Sequence, residues 1–492
     1  MADPVTPPAG LVRRALSGHA ALGLLTGGLL YLVCLTGSLA VFQQDFQRWE
    51  EPGAAEMTRI APQAVQRALA ETIARQGKPT DHAFVHMPTR GLPRTVITTD
   101  NGANYVDAQG AYDRPEAHAW TEFVLFLHYQ LNLPPTWGLL LTGALGVMLC
   151  VAVVTGVLAH PRIFRDAFAF RLRARPQLSR ADLHNRFGVW LLPFVAALGF
   201  TGAVIGLGQL VFQAVATERF GGDTEAAYAP IFGAHPPHDP APAPLARVDR
   251  ALEWMGRNHP DLPITYVTVE ETATRGQQIS VLALHPRRLI YGENYHFDGN
   301  GRFTGTLGLA DGALGKQTAA SVYLLHFGSY GGIPIELAYL GFGLALCAII
   351  STGTTLWLMK RRARGLASPR LEAVWAWTIW GSPVLLVLAY WLRVLAGPHL
   401  PFAAAFWGAL AVGTLAAALR PEAFPAPALR RLLAAGLALT GALHAYFAGP
   451  LPAPSLVIDA ALVVAAVLLA LPEILRARRA RRLPNLTLAQ QS

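Results

Sequence analysis

The sequence predicts an integral membrane α-helical bundle of about eight transmembrane helices, carrying two small α+β domains outside the bilayer. Three observations predict it. The 492-residue chain is 52% hydrophobic and only 14% charged, with a mean hydropathy of +0.33, too apolar for a soluble enzyme of this length. Eight apolar runs reach the roughly 20 residues that a membrane-crossing helix needs: 17–42, 137–159, 187–212, 334–358, 373–395, 402–419, 431–448 and 455–474. Two long polar stretches, 45–125 and 213–320, interrupt them.

Each polar stretch opens on a helical pattern, "PQAVQRALAETIARQ" and "LARVDRALEWMGRNHP". Alternating, β-rich sequence with Asp-Gly and Asn-Gly hairpin signals follows in both. A proline-rich linker, "AHPPHDPAPAPLA", leads into the second helical pattern. The chain therefore divides into a first helix (10–44), an outer domain (45–125) and an outer helix with the second span (126–160). A cytoplasmic loop (161–182), the third span (183–212) and the second outer domain (213–320) come next. An outer helix with the fourth span (321–360), four added helices (371–475) and a basic tail (476–492) complete it.

The net charge of +9 is placed asymmetrically. Arg13 and Arg14 precede the first span; Arg162, Arg165, Arg171, Arg173 and Arg175 follow the second. Lys360 to Arg364 follow the fourth, Arg430 and Arg431 precede the seventh, and Arg476 to Arg482 follow the eighth. By the positive-inside rule both termini are cytoplasmic and both polar stretches lie outside. This distribution accounts for the basic charge without nucleic acid. The first run is too long for the apolar core of a signal peptide and reads as a retained helix. Cys34, Cys150 and Cys347 all fall in spans, and no Cys-x-x-Cys occurs. A disulfide framework, a zinc ribbon and covalent c-type haem attachment are thereby excluded.

The first four spans are a repeat. "HAALGLLTGGLLYLVCLTG" runs from His19 to Thr36-Gly37, and "HNRFGVWLLPFVAALGFTG" runs from His184 to Thr201-Gly202 with the same spacing. His128 precedes Thr155-Gly156, and His326 precedes Thr352-Gly353, with spacings that differ by one residue. His19 and His184 fall at cytoplasmic helix ends, His128 and His326 at outer ends, so each side receives one histidine per copy. Two facing imidazoles in a helix bundle suit axial ligation of a haem iron, here non-covalent and b-type. Any one of these histidines could be a membrane-interface residue. Four at repeated positions argue for ligands, because ionisable groups within spans are costly and tend to be functional. Zinc is a weaker rival, since it takes a closed set of ligands. His160, in "TGVLAHPR", is a secondary ligand candidate whose counterpart in the repeat is Trp357. Arg186 is a candidate contact for a haem propionate. The Thr-Gly pairs read as small-residue helix contacts. "GALGKQT" fails as a phosphate loop and no Gly-x-Gly-x-x-Gly occurs. The electron donor would then be a quinol or a cytosolic reductase.

These residues resemble the PepSY-associated transmembrane family of iron-regulated inner-membrane proteins. The matching pieces are the histidine-bearing first helix, "LH" before a helix ending "TG", "DLHNRFGVWLLPF", and "LHFGSYGGIPIELAYLGFGL" with "TGTTLWLMKRR" after it. The resemblance spans about residues 10 to 365 and is closest to the siderophore reductase branch, exemplified by ferrioxamine reductase. It implies PepSY-like outer domains, location in the bacterial inner membrane, and haem-dependent reduction of ferric siderophore on the periplasmic side. The family's helix histidines carry over to His19, His128, His184 and His326, with two haems as the implied cofactors. The four added helices depart from the family pattern. Two other function classes are compatible with the sequence: an anchored peptide- or peptidase-binding protein without redox activity, and a siderophore permease. No discontinuous helix pair or charge path of the transporter kind supports the permease.

Overall fold

The computed structural model describes residues 9–168, 176–233, 238–286, 288–449 and 451–482. Arg171, Arg173, Arg175 and His235 lie outside the described residues, as do the side chains of the basic tail from Arg476 onward.

The chain begins with α1 (Ala9–Ala40) and α2 (Gln43–Glu50), followed by α3 (Pro62–Gln76). Four strands come next: β1 (His82–His86), β2 (Thr95–Thr99), β3 (Gly102–Val106) and β4 (Tyr112–Pro115). The short α4 (Ala119–Gln130) leads into α5 (Pro135–Ala159). The second copy has α6 (Pro176–Trp190), α7 (Leu192–Arg219), α8 (Thr224–Phe232) and α9 (Val248–Asn258). Its strands are β5 (Ile264–Glu270), β6 (Gln278–Ala283), β7 (Glu293–Asp298) and β8 (Phe303–Thr306), and α10 (Leu314–Phe327) then leads into α11 (Ile333–Ala363). The added region comprises α12 (Pro369–Ala376), joined by a π-turn at Trp377–Gly381 to α13 (Ser382–Ala396). It ends with α14 (Phe402–Leu419), α15 (Ala426–Ala448) and α16 (Ala453–Arg482).

Among the described residues, eight helices are long and apolar enough to cross a membrane, and each overlaps one of the eight predicted runs, with ends that differ by up to ten residues. Pro193 lies in the first turn of α7, where its missing N–H costs least, and it separates α6 from the third span.

The two polar stretches do not form two separate domains. They share one antiparallel sheet of eight strands, in the order β4-β3-β2-β1-β5-β6-β7-β8. The seam is β1 against β5, with Val85 opposite Val267 and Ala83 opposite Val269. Each half alone would leave a long edge strand unpaired, and pairing the two edges satisfies both rows of backbone groups. Strand alternation turns Val85, Ile97, Val267, Val269, Ile279, Val281 and Phe297 to one face, where α3 and α9 cover them. The opposite face is polar and lies under α8.

Within the bundle, α5 and α7 meet at backbone distance. A methyl carbon built on Gly206 would stand 2.6 Å from Gly143 Cα, and one on Gly146 would stand 2.8 Å from Gly199 O. Small residues allow this approach where lipid offers no hydrophobic drive. Both copies then bend sharply between the short outer helix and the following span. The second copy bends through Gly328, Gly331 and Gly332, at φ of 68°, 70° and 68°, a region open to glycine. The first copy makes the same bend with Leu131 and Asn132, at φ of 55° and 53°.

Candidate functional site

The structure brings the four repeated histidines together as two pairs. His19 on α1 faces His184 on α6, with ring centroids 6.1 Å apart and ring planes at 73°. His128 on α4 faces His326 on α10, also at 6.1 Å, with planes at 25°. Each pair takes one member from each copy. His19 and Gly37, the residue against which His128 packs, are 18 positions apart on α1. That is about 27 Å of helix rise, close to the ~30 Å thickness of a bilayer core. The sheet is continuous with the His128/His326 end, because α4 follows β4 and α10 follows β8.

The Thr-Gly pairs are the seats of these rings, a role their sequence pattern did not disclose. A methyl carbon on Gly37 would meet His128 Cε1 at 2.6 Å, and one on Gly156 would meet His19 Cε1 at 3.2 Å. Gly202 stands to His326, and Gly353 to His184, at 3.1 Å each. Within the first copy, α1 gives His19 to the Thr155-Gly156 of α5 and receives His128, from the short helix α4, on its own Thr36-Gly37. At Gly37 a side chain of any size would collide with the ring, and at the other three positions glycine spares the ring a shift of a few tenths of an ångström.

Hydrogen bonds then orient each ring. His19 Nδ1 lies 2.9 Å from Ala152 O, His128 Nδ1 2.9 Å from Val33 O, and His184 Nδ1 2.9 Å from Ile349 O. A carbonyl only accepts, so Nδ1 carries the proton in each case. His326 Nδ1 lies 2.9 Å from Thr201 Oγ1, whose own hydrogen goes to Ala197 O at 2.7 Å. The threonine oxygen is therefore the acceptor there too. All four Nε2 atoms keep a bare lone pair, and among the described residues none takes a hydrogen-bond partner. A metal-ligating histidine is usually held in this way through its other nitrogen.

The spacing suits one metal between each pair. Two metal–imidazole bonds of about 2 Å each, plus the nitrogen-to-centre distance of each ring, put trans ligands roughly 6 Å apart between centroids. Two nitrogens fall short of a structural zinc set, and no group of three or more His, Cys, Asp or Glu is poised for a metal among the described residues. Two facing imidazoles, each with Nδ1 held and Nε2 available, are a donor set that could hold a haem iron, so the residues fit that group at both pairs.

His160 closes α5 as its C-cap residue and makes no ring contact or hydrogen bond with either pair. Arg186 is buried on α6, two residues beyond His184, and pairs with the buried Asp182 at 3.7 Å. Outside the bundle, a cavity of about 570 Å³ lies between α8 and the polar face of the sheet. Phe84, Tyr228 and Phe232 line it with Ser280, Asn294 and His296. Its Tyr228 stacks on Phe212 of α7 at 4.0 Å, and α8 packs against α10, the helix of His326.

Fold and site thus define a multi-pass helical membrane protein with paired histidines near both ends of its repeated core. The chain belongs to the family of the PepSY-associated TM region, whose model matches residues 16–360. It is also similar to an uncharacterized protein of Pseudomonas aeruginosa, with 27% identity over 245 residues. That match takes in 48% of this chain and 62% of the relative, so the chain spans under two thirds of the relative's length.

Proposed function

We propose that this chain is an inner-membrane electron-transfer protein that holds two b-type haems and reduces ferric siderophores on the sheet side, releasing iron as Fe(II). The observation that carries the reading is the pair of 6.1 Å imidazole facings, each with Nδ1 hydrogen-bonded and Nε2 free. Haem bound at each pair supplies one-electron exchange, and the electron donor is a quinol or a cytosolic reductase. The seats at Gly37, Gly156, Gly202 and Gly353 fix where each ring can stand. The backbone carbonyls and the Thr201 hydroxyl hold the tautomer that offers Nε2. The ferric complex binds in the cavity under α8, whose mixed aromatic and polar lining and size match small-molecule sites in general. Reduction adds one electron to Fe(III), and the chelate then holds the Fe(II) less tightly. The sheet faces the periplasm and both termini face the cytoplasm, in keeping with Arg13, Arg14 and Lys360 to Arg362 at the opposite end of the spans.

Optical spectra of the purified protein, oxidised and dithionite-reduced, test the reading. Two low-spin b-type haems per chain are expected, falling to one in a His128→Ala, His326→Ala double variant. A protein with no Soret band after haem-replete expression refutes it.

A further inference from the structure

The four added helices have no counterpart in the repeat, and the structure shows what they grip. Two of them, α13 and α14, pack against α4, the helix that bears His128, and α16 packs against the preceding α2, while among the described residues no such packing is made on the counterpart α10. At the start of α4, Arg393 of α13 donates through Nη2 to Ala117 O at 2.9 Å. The Arg393 Nε also stands 2.8 Å from Glu50 Oε1. The Glu50 carboxylate is itself the cap of α4, accepting from Trp120 N (3.0 Å), Thr121 N (2.9 Å) and Thr121 Oγ1 (2.8 Å). The Trp120 indole N–H reaches Leu386 O of α13 at 2.9 Å. At the other end, the Trp407 indole N–H of α14 reaches Leu131 O, the C-cap of α4, at 2.9 Å. Between these ties Phe123 meets Phe406 and Phe402 with centroids at 5.5 and 6.2 Å.

The helix that supplies the Glu50 cap is tied down as well. Trp49 Nε1 donates to Asp459 Oδ1 of α16 at 2.8 Å, and His444 Nε2 of α15 donates to Trp49 O at 2.9 Å. His444 Nδ1 reaches the same Asp459 carboxylate at 3.0 Å. These groups are buried, so each tie is costly to break. By contrast α10 buries only Ala320 and Leu324, its Leu314 and Phe327 are 78% and 48% exposed, and its ties, such as the Tyr339 hydroxyl on Leu325 O, come from its own copy and not from the added helices. It is also followed by three glycines at positive φ.

We infer that the added four-helix unit is a clamp on α4, which makes the two outer imidazoles inequivalent: His128 is held from both ends of its helix, and His326 is the adjustable member of the pair. Arg393 and Trp407 are positioning residues that act on His128 through α4. The clamp stands on contacts alone; its bearing on a metal centre rests on the haem reading above.

The test uses the full chain in detergent. In haem-free protein, amide hydrogen exchange followed by mass spectrometry should be slower across 119–131 than across 314–327. Trp407→Phe keeps an aromatic six-membered ring and removes the indole N–H with the rest of the five-membered ring, a loss of packing that the Trp391→Phe control shares. It should speed exchange across 119–131 about fivefold, the effect of one lost hydrogen bond, and leave 314–327 unchanged. Trp391→Phe is the control, because its N–H bonds Thr440 Oγ1 inside the added unit at 2.9 Å; it should change neither stretch. In haem-loaded protein, Trp407→Phe and Arg393→Met should shift the low-spin resonance signal that disappears in the outer-pair double variant, with the inner signal fixed. Arg393→Lys should restore part of the shift. Equal exchange of the two stretches in the wild-type chain overturns the clamp, as does a Trp391→Phe effect equal to that of Trp407→Phe. A chain that takes up no haem yet keeps the exchange difference supports the clamp and strikes only at the haem reading.

Discussion

Gly37→Ala is the sharpest perturbation the site offers. The new methyl carbon would stand 2.6 Å from His128 Cε1 and 2.8 Å from Nδ1, where van der Waals contact begins near 3.4 Å. The ring must retreat by most of an ångström. Val33 O is on the same helix, so the retreat breaks the 2.9 Å bond that fixes the tautomer. Overpacking of this kind costs about 1–3 kcal/mol, and the lost bond adds about 1 kcal/mol. Alanine returns about 1 kcal/mol through its better helix propensity. The net is a loss of roughly 1–3 kcal/mol, falling on the outer pair. Gly23→Ala on the same helix is the control, because nothing lies within 4 Å of its methyl position, so it gains the propensity term with no clash. Gly353→Ala is intermediate, needing only a few tenths of an ångström at 3.1 Å from His184. Reduced-minus-oxidised spectra and thermal unfolding of the three variants provide the assay. The outer haem should be lost or turned high-spin in Gly37→Ala, the inner site weakened in Gly353→Ala, and Gly23→Ala should equal or exceed the wild type. If Gly37→Ala matches Gly23→Ala in both spectrum and unfolding temperature, glycine at this position is not a ring seat and the reasoning fails.

Thr201→Val removes the acceptor of His326 Nδ1–H with little change of shape and should weaken haem retention at the outer pair about fivefold, the equivalent of one hydrogen bond. Thr36→Val, whose hydroxyl bonds only carbonyls of its own helix, should not, as a haem-transfer assay would show. Outside the membrane, burial opposes the charge on His118, but Glu51, Glu116 and Glu122 at 3.6, 3.4 and 3.9 Å outweigh it and hold its pKa above the ordinary 6.5. Burial likewise opposes the charge on Glu51, but His118, Ala117 N–H and the Tyr105 hydroxyl hold it below the ordinary 4.5. The His118 contribution is complete below 6.5 and lost as pH rises through its raised value, while that of Glu51 is complete above 4.5 and lost as pH falls through its lowered value. Unfolding temperatures over about pH 5 to 9 should therefore decline on the alkaline side, and His118→Gln should flatten that decline. Ser280→Trp should fill the cavity under α8 and raise the KM for a ferric siderophore more than about tenfold with haem spectra unchanged; an unchanged KM would place the substrate elsewhere.

Much of the architecture was legible in the chain. Apolar run length located all eight candidate spans, though not their exact ends, since a helix in lipid must satisfy its own backbone and needs a fixed length to cross. The repeat grouped His19 with His184 and His128 with His326, because equal spacing in equal helices puts side chains at equal depth. The bend after His326 has a signal in the chain, the glycines of "GSYGGIP"; the matching bend after His128 has none, because Leu131 and Asn132 are ordinary residues at positive φ. The pairing of β1 with β5 was equally hidden. Alternation says which face of a strand is buried, not which strand lies beside it, and the two are separated by the whole of α4 to α9.

The sequence by itself determined the membrane class and the grouping of the four histidines into two pairs, because hydropathy and spacing act locally along one dimension. Only the tertiary structure decided that the Thr-Gly pairs receive rings instead of helices, that the two polar stretches close into one sheet, and that the added helices grip α4 and not α10. These are contacts between residues tens to hundreds of positions apart, such as Trp49 with Asp459 and Arg393 with Glu50. No periodicity records them, since each partner alone is an ordinary residue, and the buried pairing that makes both tolerable exists only once the chain has folded.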